Sequence, residues 1–111
     1  MPYVGGIFMA KYCFVEFTVV TKDIVEDVYL VGNTKNLGLW NTKNAVKMNK
    51  IDENTFKARK RFLLNDHIEY KVIATKKWDN VEKGIFKEEV ENHHFYGEKG
   101  HFESIYIHHF N

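Results

Sequence analysis

The feature that most constrains this chain is a succession of short runs rich in β-branched and aromatic residues, with no stretch that sustains a convincing 3.6-residue apolar period. Tyr12 to Val20 reads YCFVEFTVV and predicts a strand closed by Lys22 and Asp23. Asp27 to Gly32 (DVYLVG) predicts a short, fully buried strand stopped by Gly32 and Asn33. Asn33 to Asn44 is a polar loop carrying Leu37 and Trp40, and Ala45 to Met48 offers a short strand after it. Thr55 to Leu63 predicts a solvent-facing strand, and His67 to Ala74 alternates as a half-buried one. Glu103 to Phe110 completes the set. Phe86 to Glu91 is helix-friendly in composition but too short and too weakly amphipathic to stand as a helix.

Five or more strands divided by Gly, Asn and Asp turns predict an all-β fold, a β-sandwich. At 111 residues the chain reads as one domain (1–111), with residues 1–10 a terminal arm. Those ten residues lack the basic start and sustained apolar run of a signal peptide. The location is left unknown: cytoplasmic for a free-standing protein, extracellular for a module excised from a secreted enzyme. No run approaches the ~20 apolar residues of a membrane span. A net charge of +1 argues against a nucleic-acid partner. The single Cys13 has no partner for an internal disulfide and reads as a small buried hydrophobe.

Enzyme signatures are missing. There is no GxSxG and no phosphate-cradling glycine cluster, and the acidic residues do not form a recognisable cleft pair. No cofactor is called for. His93-His94 and His108-His109 are adjacent pairs, and neighbours along a strand point to opposite faces. A metal site would need one histidine from each pair together with His101. The favoured reading is polar edge-strand residues.

The 9 Phe, 6 Tyr and 2 Trp exceed what a core of this size needs, so some rings are expected at the surface. Trp40 stands in a polar loop and Trp78 among Lys76, Lys77, Asp79 and Asn80. An exposed indole is a flat platform for the C–H face of a sugar ring, while polar neighbours bond its hydroxyls. Against this, Trp40 could instead cap one end of the core.

Val28-Tyr29-Leu30-Val31-Gly32, then Leu37-Gly38-Leu39-Trp40-Asn41 and Ala45-Val46, resemble the signature of family 20 carbohydrate-binding modules, the starch-binding domains. Ile68-Glu69-Tyr70-Lys71-Val72 resembles that family's F-E-Y-K-F strand. Trp78-Asp79-Asn80-Val81-Glu82-Lys83-Gly84, followed by Glu89 and Asn92, resembles its W-x-x-V-E-K-G loop. The resemblance runs from Tyr12 to Phe110 and implies a two-sheet immunoglobulin-like antiparallel β-sandwich. It implies a non-catalytic module that binds an α-1,4-glucan (starch, glycogen, a maltooligosaccharide or a cyclodextrin) and targets a tethered or partner enzyme. It implies Trp40 as one platform, with Trp78 preferred over Phe86 as the second. Lys71 and Asn92 follow as hydroxyl partners, and Glu82 as an acceptor or a turn residue. The plainer readings are a strand lysine for Lys71, a turn former for Asn92 and a core ring for Phe86. The family's second, tyrosine-built site has no aromatic counterpart here, since Ile24 and Ile51 occupy those stretches. A different class of reading keeps the sandwich for protein–protein interaction: glucan binding needs Trp40 and its partner ring exposed and near coplanar, whereas this alternative has them buried.

Overall fold

The computed structural model describes residues 11–111, so the expected terminal arm at 1–10 lies outside the described residues. Among the described residues ten strands build two four-stranded sheets and a small two-stranded ribbon. The first sheet contains β1 (Tyr12–Thr21), β4 (Asn49–Asp52), β5 (Thr55–Leu63) and β9 (Phe102–Ile107), in the order β4-β5-β1-β9. The second contains β2 (Tyr29–Gly32), β3 (Val46–Lys47), β6 (His67–Ile73) and β8 (His93–Tyr96), in the order β3-β2-β6-β8. The ribbon pairs β7 (Glu82–Lys83) with β10 (His109–Phe110).

Period-2 alternation carries the core. Cys13, Val15, Phe17 and Val19 of β1 point inward beside Phe56, Ala58 and Phe62 of β5. They meet Leu30, Ile68, Tyr70, Val72 and Phe95 from the second sheet. Phe17 is the hub, edge-on to Phe62, Tyr70 and Phe95 at centroid distances of 6.0, 5.2 and 5.8 Å. Cys13 is buried as expected, its thiol against the Phe62 carbonyl.

The strand β2 is buried on both faces, as its continuous apolar run predicts. Leu30 faces the core, whereas Val31 joins Ala45 and Ile73 in a second apolar cluster on the outer face of the second sheet. The last residue of β2 is glycine because a side chain has no room there. A Cβ would sit 2.4 Å from the Glu69 carbonyl oxygen and 2.9 Å from Leu37 Cδ1.

The structure departs from the sequence expectation in several places. β5, expected to face solvent, buries Phe56, Ala58 and Phe62 in the core. β4 and β7 form in polar stretches that carry no apolar alternation, and are held by pairing with β5 and β10. The closing strand is split at His108: β9 lies in the first sheet and β10 crosses to the ribbon. And β9 runs parallel to β1, so the sandwich is antiparallel in every other pair. A parallel pair needs a crossover, which the chain makes by passing through the second sheet between β5 and β9. Phe86 to Glu91 forms a turn and an isolated bridge from Lys83 to Glu89, with no helix.

Candidate functional site

Residues of one parity on β6 turn outward: His67, Glu69, Lys71 and Ile73. Next to Ile73 lie Val31 and Ala45, and the Trp40 ring covers this cluster with one side while remaining half-exposed. The backbone forces that placement. Gly38 takes φ +84°, and Leu39 and Trp40 follow at φ 50° and 61°, also left-handed. Non-glycine residues occupy that region at a cost of about 1 kcal/mol each. Leu37 is anchored in the core beneath, and the segment Lys35–Trp40, kinked with non-helical backbone angles at Leu37, Gly38 and Leu39, carries the indole away from it. The expected loop is therefore structured, and Trp40 both caps an apolar cluster and shows a face to solvent.

Trp78 arrives from the other side, on the short 3-10 turn Trp78–Asn80, and is 43 % exposed. Its ring centroid lies 6.3 Å from that of Trp40, with the planes inclined by 35°. Beside it opens a cleft of about 330 Å³ lined by Lys71, Trp78, Glu82 and Val90, among others. The Lys71 ammonium bonds to the Val90 carbonyl, which draws the Glu89–Asn92 segment against β6.

Glu82 forms part of that cleft wall, yet it is 3 % exposed and its carboxylate is committed inward. Oε2 accepts the Val72 amide at 2.7 Å, and His93 Nε2 donates to Oε1 and Oε2 at 2.7 and 2.9 Å. The residue thus ties β6 to β8, and its hydrogen-bonding capacity goes to the protein.

Asn92 is exposed, and its amide reaches Glu69 Oε1 at 3.4 Å. It lines a neighbouring cleft of about 440 Å³ with His67, Glu69, Glu91 and His94, and Val90 borders both clefts. Phe86 is 85 % exposed at the tip of the turn from Gly84 to Glu88, so it is no core ring. It lines neither cleft. Ile24 and Ile51 are both exposed aliphatic side chains.

The histidines separate. His93 belongs to Glu82, His101 bonds Glu103 Oε2 at 2.7 Å, and His108 packs edge-on to Tyr106. The grouping of His93 or His94 with His101 and a member of the His108-His109 pair does not come together. Among the described residues no three His, Cys, Asp or Glu side chains stand at metal-ligand spacing. His67 and His94 meet instead, a pairing that sequence spacing does not reveal because it depends on the β6–β8 register.

A family model described as the starch binding domain, CBM_20, matches residues 12–101. No curated protein sequence matches the chain. Solved structures do. The family 20 module of the maltotetraose-forming amylase of Pseudomonas saccharophila superposes with a TM-score of 0.65 at 20 % identity, covering 85 % of this chain and 99 % of that one. The family 15 glucoamylase of Hypocrea jecorina gives a TM-score of 0.69 at 18 % identity over 88 % of this chain. The Hormoconis resinae glucoamylase gives 0.67 at 15 % over 89 %. The chain spans only 17 % and 18 % of the two glucoamylases.

Proposed function

The chain belongs to the starch-binding domain family, CBM_20, and from that premise we propose that it binds α-1,4-linked glucan on the outer face of the second sheet and itself catalyses nothing. The observation that carries this reading is the Trp40–Trp78 pair, two rings from separate loops brought within 6.3 Å. A sugar ring buries its C–H face on an indole, and two indoles hold two successive residues. The planes are inclined by 35° and so depart from the near-coplanar pair expected; two successive glucose units would rest on differently oriented faces.

Trp40 and Trp78 are the platforms in this reading. Lys71, at the floor of the adjoining cleft, donates to sugar hydroxyls, and Asn92 bonds hydroxyls at the rim. Glu82 is a positioning residue, holding β6 and β8 so that Lys71 and the Val90–Asn92 segment keep their places. Phe86 is an outlying ring for a longer chain. Affinity at one such site is modest, on the order of micromolar to millimolar, because stacking and solvent-exposed hydrogen bonds leave little net free energy. A polymer raises the effective affinity through repeated sites. The role that follows is to hold a tethered or partner enzyme on starch or glycogen.

The test is a pull-down on insoluble starch with tryptophan fluorescence titration by β-cyclodextrin, comparing wild type with Trp40→Ala. Wild-type binding that the folded variant loses supports the reading. A well-folded wild type that binds neither ligand overturns it, leaving a starch-module fold used for protein–protein interaction.

A further inference from the structure

The geometry points to a divalent transition-metal site at His67 and His94, on the outer face of the second sheet. His67 opens β6 opposite Tyr96, and His94 lies opposite Glu69, so the two histidines are diagonal neighbours across the β6–β8 pair. Their rings stand edge to face, with centroids 5.3 Å apart and planes at 87°. His67 Nε2 and His94 Nδ1 are 3.3 Å apart. Two imidazole nitrogens each about 2.0–2.1 Å from one tetrahedral cation lie about 3.3–3.4 Å from each other. The separation already present is thus the bite of a two-histidine chelate.

Three further observations favour a cation there. Both histidines are exposed, so an ion has access and the ligands are not consumed by the core. The His67 ring is stacked on Tyr96 at 4.7 Å and 19°, which holds its orientation. The cleft they line also contains Glu69 and Glu91, whose carboxylates lower the electrostatic cost of a dication. Residues 1–10 contain no His, Cys, Asp or Glu that would compete. No third side chain stands at ligand distance among the described residues, so water, or Glu69 or Glu91 after a rotamer change, completes the shell. In the metal-free protein one ring donates its N–H to the other, whose contact nitrogen carries no proton. On binding, the bridging proton passes through water to the distal nitrogen of the ring that donated it, so both rings bind the metal as neutral imidazoles with N–H on Nδ1 of His67 and Nε2 of His94. Imidazole ligands select zinc, nickel or copper over magnesium and calcium.

The test is calorimetric titration of the tag-free, metal-stripped chain with NiCl2 and ZnCl2, using MgCl2 as comparison, alongside imidazole NMR of the wild type. One saturable site per chain is expected for nickel and zinc and none for magnesium. Metal should perturb the His67 and His94 ring signals and leave those of His108. His67→Ala and His94→Ala should each weaken binding at least about tenfold, whereas His108→Ala should not. The proposal is overturned if the wild type shows no saturable binding up to about 1 mM metal. It is equally overturned if the perturbed rings are not His67 and His94, or if both alanine variants bind as wild type does. Glucan binding plays no part in any of these readouts.

Discussion

Glu82 holds His93 through both carboxylate oxygens, at 2.7 and 2.9 Å, while one of the same oxygens accepts the Val72 amide. Glu82 is almost wholly buried and His93 partly so, so losing the carboxylate leaves the buried Val72 amide without its partner. Glu82→Gln keeps the shape but removes the charge, and a stability loss of about 1–3 kcal/mol is expected by urea denaturation. Because the carboxylate faces inward, the folded variant should bind β-cyclodextrin within about threefold of wild type (about 0.6 kcal/mol). A much larger loss of affinity at full folding would assign Glu82 a direct contact with sugar.

The two tryptophans separate stability from binding. Trp78 is largely free of the core, and Trp78→Ala should change stability little. Trp40 covers Val31, Ala45 and Ile73, so Trp40→Ala is expected to cost about 1–2 kcal/mol. Both should lower β-cyclodextrin affinity at least about tenfold, roughly 1.4 kcal/mol, by fluorescence or calorimetry. Phe86→Ala should leave that affinity within about twofold (about 0.4 kcal/mol), since the ring lies outside both clefts. The reverse ranking would make Phe86 the second platform.

Tyr70 donates its phenol to Glu103 Oε1 at 2.7 Å from within the core. Burial, and then the bond to Glu103, push its pKa far above the ordinary tyrosine range. The folded value is raised, so the stabilisation is fully present below the unfolded pKa of about 10 and is lost as pH rises above it. In an alkaline absorbance titration, Tyr70 is expected to ionise only as the chain unfolds, in step with loss of circular dichroism. Tyr70→Phe should remove that coincident step and lower stability by about 1 kcal/mol at neutral pH.

Gly32 sits where a methyl group would meet the Glu69 carbonyl, Leu37 Cδ1 and Tyr70 Cβ within 3.0 Å. Gly32→Ala therefore has to push β2 away from β6 or displace Leu37, at an expected cost of about 2–4 kcal/mol by thermal or urea unfolding. Since Leu37 anchors the turn that carries Trp40, weaker starch binding should accompany the loss. Unchanged stability would mean that β2 and β6 separate easily at this point.

Most of the fold was legible because strands announce themselves locally. The alternation of β1 and β6 and the double burial of β2 follow from which residues are apolar and at what spacing. β4 and β7 were not legible, because their own residues are polar and their strand state comes from backbone pairing with partners elsewhere in the chain. Trp40 and Trp78 were recognisable as candidate platforms from their polar surroundings and from the family pattern. The sequence held no sign that Glu82 would be buried, since a carboxylate goes inside only where an amide and a histidine are waiting, and those come from β6 and β8.

From the residues alone came the all-β class, the buried Cys13, the family resemblance and the short roll of candidate binding residues, because each depends on residue type and spacing along the chain. The tertiary structure decided the rest: the parallel pairing of β1 with β9, the 6.3 Å approach and 35° tilt of the tryptophans, and the meeting of His67 with His94. These are relations between segments far apart in sequence. Loop backbone angles set the approach of the tryptophans, and strand register sets the rest: a one-residue slip of β8 against β6 would turn His94 to the face opposite His67.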